Sequence, residues 1–329
     1  MSAPILHTPV LFLCFNRPDC TQRVFDSIRK VKPQKLYIAV DAPREGRADD
    51  VENNNKVKEI VSNVDWECET HYLFQEKNLG CSKSGVTAWN WIFETEDRMI
   101  FVEDDGLGSS DAFYFIQDML ERYKDDERIA YVGAVNYGPK YGDKSYFFSR
   151  EPAATYFMGT WRRVNDLYDY DLDTYEDTSR TKEFRSRFRT RSEYIVKQQL
   201  FKRYRNSVLS SRRQNTYDVQ MTYLSYVYDM YSIYPNVNLV SNIGLDGGAN
   251  NAVNPNSSFY KEYANRAIDE FKEIKYTQSV FIDDSFEKMF YRKRALYNRK
   301  WYMVWLKSFL LEHFGTFYSK YIKPLRWDR

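Results

Sequence analysis

Residues 99–106 constrain the fold most, because an apolar run ends directly in three carboxylates. Met99–Val102 is apolar at every position, which is typical of a strand covered on both faces in a parallel sheet. Glu103, Asp104 and Asp105 follow at once, and three unpaired carboxylates are too costly to bury. The carboxyl end of such a strand is where open α/β sheets bind ligands. The segment predicts a hard divalent cation with a phosphorylated ligand, the alternative being a solvated acidic turn.

Apolar runs and segments of helical spacing alternate through the first third of the chain. The predicted strands are Val10–Phe15, Lys35–Val40, His71–Phe74 and Met99–Val102. The predicted helices between them are Thr21–Lys30, Asn54–Val61 and Ser82–Glu94. This alternation predicts an α/β fold with a mostly parallel sheet flanked by helices.

Polar side chains stand where each predicted strand ends. Asn16 and Arg17 follow the first strand, Asp41 the second, Asn78 the third and Glu103–Asp105 the fourth. Because the carboxyl ends of parallel strands meet at one edge of a sheet, these side chains are expected to converge. Their convergence favours a ligand cleft over four unrelated loops.

The remaining chain predicts one interrupted sheet domain and a helical appendage. Residues 1–260 form the predicted domain, and the charged, helix-prone stretch 173–213 is interpreted as a solvated helical insertion or as a lid or acceptor surface. Residues 261–329 are the basic, aromatic helical C-terminal segment. Its part from Phe286 onward holds eleven Lys or Arg against three acids, mixed with Trp and Phe. This composition is typical of an interfacial helix on an anionic membrane, or of a helical pair whose aromatic residues pack as core.

Composition and motifs exclude several classes. A formal net charge of +2 argues against nucleic acid as a partner, and the three histidines are too scattered for a His-based zinc site. The four cysteines show no CxxC spacing, which favours reduced thiols in a cytoplasmic protein. There is no signal-peptide pattern and no run of 18 apolar residues. The expected location is therefore cytoplasmic, with peripheral contact to the inner face of the membrane through the tail.

Six short blocks together resemble nucleotide-sugar-dependent glycosyltransferases of the GT-A fold. The resemblance is to the N-acetylglucosaminyltransferase I-like group and to related bacterial surface-polysaccharide transferases. The blocks are Phe15–Pro18, Val40–Arg44, Asn78–Cys81, Phe101–Asp105, Gly159–Arg163 and Pro235–Gly244. The resemblance implies a Rossmann-like GT-A domain that transfers a sugar from a nucleoside-diphosphate donor, with UDP favoured, to a glycan or lipid-linked glycan acceptor with inversion.

The resemblance also implies roles for the residues after the strands. Asp105 would ligate Mn²⁺ or Mg²⁺, which stabilises the departing nucleoside diphosphate. Glu103 and Asp104 would lie nearer the ribose and the sugar. Arg17 would contact the base or a phosphate, and Asp41 would accept from a uracil N–H; the alternatives are a surface salt bridge and a turn cap.

Further positions follow from the same blocks. Asn16 and Asn78 belong to the implied donor-binding set. Asp218 would take the proton of the acceptor hydroxyl, and a helix N-cap is the equal alternative. Asp246 is the second choice for this base. Trp161 would form part of a sugar or acceptor shelf, or else pack as core.

Departures from related enzymes define the competing interpretations. Residues 245–251 carry no His, although some relatives place a metal-ligating His there. The first strand is followed by neither GxGxxG nor another Gly-rich loop, which argues against a dinucleotide oxidoreductase and a sugar-phosphate nucleotidyltransferase. A non-catalytic carbohydrate-binding or scaffolding relative of the same fold remains the alternative from a different class.

Overall fold

A computed structural model of the chain describes residues 5–152, 155–212, 215–245, 256, 258–271, 273–277, 279–291 and 300–314. The chain divides into two compact units. The sheet unit is Met1–Tyr168 with Asn215–Asp283, and the helical unit is Asp169–Gln214 with Asp284–Arg329. The sequence suggested a boundary after residue 260, whereas the sheet unit continues to Asp283.

The strands belong to the sheet unit. They are β1 Val10–Cys14, β2 Lys35–Val40, β3 Glu69–Phe74, β4 Arg98–Glu103, β5 Gly106–Gly108, β6 Ile129–Gly133, β7 Tyr146–Ser149, β8 Phe157–Trp161, β9 Tyr231–Pro235 and β10 Val240–Asn242. The helices are α1 Pro18–Val31, α2 Ala48–Ser62, α3 Gly80–Phe93, α4 Ser110–Arg122, α5 Arg162–Asn165, α6 Tyr175–Thr178, α7 Lys182–Ser186, α8 Arg191–Leu209, α9 Asp218–Val227, α10 Ser258–Tyr263, α11 Asp284–Tyr291 and α12 Trp301–His313. Of these, α6–α8, α11 and α12 lie in the helical unit.

Eight strands form one mixed sheet in the order β3-β2-β1-β4-β8-β6-β9-β7. The four strands from β3 to β4 are parallel, and β6 is parallel to β9. Strand β8 runs antiparallel to both β4 and β6, and β7 runs antiparallel to β9. The predicted fold class, a Rossmann-like, GT-A-type α/β fold with a mostly parallel sheet flanked by helices, agrees with this topology.

The chain leaves β1 toward β2 and β3 and then returns to β4 on the other side of β1. This reversal creates a topological switch point between β1 and β4, where ligands of open α/β sheets bind. All five residues of β1 are buried, and Met99–Val102 in β4 have no exposed surface. Full burial on both faces explains why these strands read as unbroken apolar runs.

Gly159 shows how closely a helix covers the sheet. A Cβ atom at this position of β8 would lie 2.4 Å from Cγ2 of Ile116 on α4. Because real Cβ atoms do not approach so closely, only glycine allows α4 to pack at this distance.

The predicted insertion 173–213 is helical, as α6–α8, and belongs to the helical unit. The core of this unit includes Phe184, Phe201 and Phe286, which are fully or almost fully buried. Helix α12 packs against α8. None of the helices in the described ranges combines the length and apolar content needed to cross a bilayer.

Candidate active site

A cavity of about 510 Å³ lies at the carboxyl ends of β1, β2 and β4. Its walls are the loops after these strands, the start of α3, and residues near Asn215 and Gly244. Seven residues predicted to converge all line it: Asn16, Arg17, Asp41, Asn78, Glu103, Asp104 and Asp105. The predicted meeting of polar strand ends at one edge is therefore present in the structure.

Arg17 joins the loop after β1 to the acids after β4. Its Nη1 donates to Oδ2 of Asp105 at 2.9 Å, and its Nη2 donates to Oδ1 of Asp104. Asp104 is buried and also accepts from the backbone N–H of Phe15 at 3.3 Å. Burial alone would lower the pKa of Arg17, but Asp104 and Asp105 raise it above its ordinary value. Arg17 is thus a permanent cation that holds both carboxylates.

Asp105 keeps one oxygen that this pairing does not use. Its Oδ1 is buried and has no hydrogen-bond partner within the part of the chain that the structure describes. Its backbone carbonyl accepts from the N–H of Ile243 at 2.9 Å, which ties β5 to the end of β10. A buried carboxylate oxygen without a partner is costly and marks a position where a ligand would supply compensation.

The acids at the end of β4 fit a divalent cation that prefers oxygen ligands. One guanidinium pairs with Asp104 and Asp105, and Asp105 Oδ1 offers a further oxygen ligand. Across the described ranges, no three His, Cys, Asp or Glu side chains converge as a metal cage. Mg²⁺ uses few carboxylates and completes its octahedron with water and phosphate oxygens, and Mn²⁺ favours the same oxygen ligands. Asp105 thus fits a metal that is shared with a bound phosphate group.

Glu103 belongs to the same electrostatic cluster. Burial, and then the negative charge of Asp105, raise its pKa well above the usual range, while Arg17 opposes this shift. Asp218 adds to the rise. Asp218, although distant in sequence, therefore lies close enough to Glu103 for its negative charge to raise the pKa of Glu103.

Asp41 organises the turn at the start of α3. Its two carboxylate oxygens accept from the backbone N–H groups of Ala42, Leu79 and Gly80 and from the side-chain amide of Asn78, at 2.9–3.1 Å. Burial raises its pKa, and the backbone donors oppose the rise. Four donors match the acceptor capacity of a carboxylate. In the structure Asp41 thus holds the Asn78–Gly80 turn, and its contact with a nucleobase stays a prediction.

Helix α2 supports the two loops from behind. Nδ2 of Asn54 donates to the backbone carbonyls of Phe15 and Asp41, each at 2.8 Å, which fixes the loops after β1 and β2 together. Asp50 is 1% exposed and accepts from Nδ2 of Asn16 at 2.6 Å. Sequence patterns did not indicate either residue of α2 as part of the site.

A signal for these two residues is present in the sequence. The buried residues of α2 are Asp50, Asn54, Val57 and Val61, whose spacing of three and four puts them on one helix face. Two polar residues that continue an apolar face indicate buried hydrogen bonding rather than solvent contact. The predicted helix began only at Asn54, so Asp50 fell outside it.

Asp218 is the first residue of α9 and is exposed. Tyr217 occupies the N-cap position and makes no side-chain capping bond, so the structure does not place Asp218 at the N-cap. Oγ1 of Thr155 donates to Oδ1 of Asp218 at 2.9 Å. An exposed carboxylate held in this way remains accessible to an acceptor hydroxyl.

The segment before α9 docks on the start of α3. Oδ1 of Asn215 accepts from the backbone N–H of Ser82 at 2.7 Å, and Oγ of Ser82 donates to the carbonyl of Thr216 at 2.8 Å. Asn215 also lines the cavity. These bonds hold the segment just before Asp218 against the start of α3, and sequence patterns did not indicate them.

Of the described residues of the predicted set, Trp161 and Asp218 are not among those that line the cavity. Trp161 ends β8 opposite Arg98, the first residue of β4, so it lies at the far edge of the sheet from Glu103. It is buried, with the guanidinium of Arg163 centred 4.5 Å from its ring. The reason is the antiparallel direction of β8, which the sequence pattern did not reveal. Asp246 lies outside the described residues.

Comparison with known proteins adds distant structural similarity. No protein-family model and no curated protein matches this sequence. A UDP-glucose pyrophosphorylase complexed with UDP-glucose is 9% identical, with a TM-score of 0.36 over 72% of this chain and 93% of that chain. A mannosyltransferase from Pyrobaculum calidifontis, in complex with GDP-Man and Mn²⁺, is 10% identical, with a TM-score of 0.36 over 68% of this chain and 72% of that chain. Similarities at this level carry no argument about activity, so the chemistry of the site decides.

Proposed function

We propose that the chain is a glycosyltransferase that moves a sugar from a nucleoside-diphosphate sugar to a glycan or lipid-linked glycan acceptor with the help of a metal. The carrying observation is Asp105, whose Oδ1 is buried without a hydrogen-bond partner among the described residues, in a cavity at the sheet switch point. The donor diphosphate and Mn²⁺ or Mg²⁺ would meet there. A UDP-linked donor is favoured by the sequence resemblance.

The charges of the cavity favour transfer over nucleotidyl chemistry. Both arginines that line it form ion pairs, Arg17 with Asp104 and Asp105, and Arg44 with Asp50 of α2. A nucleoside triphosphate would bring about four negative charges that need basic side chains or metals. The loop between β1 and α1 has only three residues and no glycine to wrap a triphosphate. A nucleoside-diphosphate sugar that binds together with its metal ion suits this site better.

The chain's own residues supply the remaining chemistry. A bound Mn²⁺ or Mg²⁺ would neutralise charge on the departing nucleoside diphosphate. Arg17 keeps Asp104 and Asp105 in fixed positions. Asp218 takes the proton of the acceptor hydroxyl. The hydroxyl oxygen bonds to the anomeric carbon as the bond from that carbon to the diphosphate breaks. Attack from the face opposite the leaving group inverts the configuration.

The test is a panel of nucleotide sugars with Mn²⁺, first without and then with pyrophosphate. We expect one donor to raise the melting temperature and to release a nucleoside diphosphate, faster once a glycan acceptor is added. Formation of a nucleoside triphosphate from donor and pyrophosphate would instead establish a nucleotidyltransferase. A chain that shows neither stabilisation nor turnover with any donor would be the non-catalytic relative.

Gly244→Ala should weaken the binding of the stabilising nucleotide with Mn²⁺ about tenfold or more. A Cβ atom there would lie 2.4 Å from Nη1 of Arg17 and 2.5 Å from Oδ2 of Asp105, so the ion pair must move. Overpacking costs about 1–3 kcal/mol, and about 1.4 kcal/mol is tenfold in affinity. Isothermal titration calorimetry measures the affinity for the nucleotide with Mn²⁺. The control is Gly142→Ala, which has a φ of +59° and nothing within 4 Å. It should lower stability but leave affinity unchanged, and equal affinities for both variants would contradict the close approach.

A further inference from the structure

Between Trp301 and Phe309, helix α12 carries apolar side chains on its buried side and on its exposed side. Val304 is 3% exposed, and the helix packs against α8. Five large residues of the helix are exposed, between 39% and 50%, and we call them the aromatic stripe: Trp301, Tyr302, Trp305, Leu306 and Phe309. An amphipathic helix would place polar residues on its exposed side. Here the exposed side carries the larger rings.

The aromatic stripe is one continuous surface. Trp301, Trp305 and Phe309 are four residues apart, and Tyr302 and Leu306 run beside them, so the five span an arc of roughly 140° at 3.6 residues per turn. The rings of Trp305 and Phe309 stack with centroids 5.4 Å apart. The guanidinium of Arg191, from α8, lies 3.7 Å from the centroid of Trp301. A contiguous exposed apolar patch of this kind marks an interaction site.

The charge of the flanking sequence identifies the kind of partner. Residues 292–299 contain four Lys or Arg and no acid, and residues 315–329 contain four Lys or Arg and one acid. Trp and Tyr rings suit the interface of a bilayer, where one end of the ring is apolar and the other wet. Clusters of basic residues beside such rings are attracted to anionic headgroups, each by about 1 kcal/mol.

We propose that the aromatic stripe binds the surface of an anionic lipid membrane. The rings insert at the level of the headgroups, and the positive charge of the flanking sequence attracts the chain to anionic lipids. A second copy of the chain would cover the rings but would bring the same surplus of positive charge against itself. An anionic bilayer satisfies both the rings and the cations, and this inference is independent of the proposed function.

The test is cosedimentation of the full-length chain with vesicles of phosphatidylcholine alone and of phosphatidylcholine mixed with phosphatidylglycerol. We expect binding about tenfold or more stronger to the mixed vesicles, and weaker at high salt. The double variant Trp305→Ser, Phe309→Ser should lose most of this binding. Tyr228→Ser is the matched control, since Tyr228 is 45% exposed and belongs to the sheet unit. It should bind as the unchanged chain does.

Three outcomes would overturn the inference. One is full vesicle binding by the double variant at an unchanged melting temperature. Another is equal binding to neutral and anionic vesicles. The third is a dimer in light scattering without lipid that the double variant converts to a monomer, which would assign the aromatic stripe to a second copy. Melting curves of both variants show that loss of binding does not reflect unfolding.

Discussion

Asp105→Asn should reduce sugar transfer about 10³-fold or more and abolish stabilisation by nucleotide with Mn²⁺. The change removes the negative charge beside the buried Oδ1 but keeps an oxygen that can accept from Arg17. The fold should persist, because the variant also relieves repulsion among Glu103, Asp104 and residue 105. The measurements are turnover of the active donor and melting curves with and without nucleotide and Mn²⁺.

Asp97→Asn is the control for this prediction. Asp97 precedes β4 at its other end, its side chain is 91% exposed, and it pairs with Arg162 at 3.2 Å. The control therefore neutralises an acid beside the same strand without touching the cavity, and its turnover should be unchanged. Near-normal transfer by Asp105→Asn would remove the basis of the proposed metal site.

Asp218→Asn should lower transfer by about 10²–10⁴-fold, the usual range for loss of a general base. Asparagine keeps the acceptor for Oγ1 of Thr155 but cannot take a proton from the sugar hydroxyl. Stabilisation by nucleotide with Mn²⁺ should remain as in the unchanged chain, because Asp218 is not among the residues that line the cavity. Transfer rates at saturating donor and acceptor, together with melting curves, separate catalysis from binding.

Asp229→Asn is the matched variant at the other end of α9. Asp229 accepts from Arg150 at 2.5 Å and has a φ of +56°, both of which asparagine tolerates. Its transfer rate should stay near that of the unchanged chain. If Asp218→Asn turns over normally, the base lies elsewhere, and Asp246 becomes the next residue to replace.

The parallel strands and the edge of the sheet that carries the cavity were predictable, because short sequence segments determine both. Apolar runs such as Met99–Val102 report burial on both faces, and the polar residue after each run reports the strand end. Parallel strands then place Arg17, Asp41 and Asp105 at one edge without further information. The structure confirms this part of the prediction.

Residues that depend on long-range pairing were not predictable in the same way. Trp161 lies at the far edge because β8 runs antiparallel to β4, and a short apolar strand carries no mark of its direction. Gly244 reaches Asp105 through the pairing of β10 with β5, a three-residue strand with two glycines and no apolar alternation. Asp50 fell outside the predicted helix, so its position on the buried face of α2 was not predicted.

Arg17 acts as an internal counter-ion for two of the acids at the end of β4. Because Arg17 supplies the positive charge that Asp104 and Asp105 need, this end of β4 can fold without a bound metal ion. If the proposed function holds, the metal ion would bind and leave during the reaction cycle and not during folding. In such an enzyme the metal ion would leave the site together with each released nucleoside diphosphate.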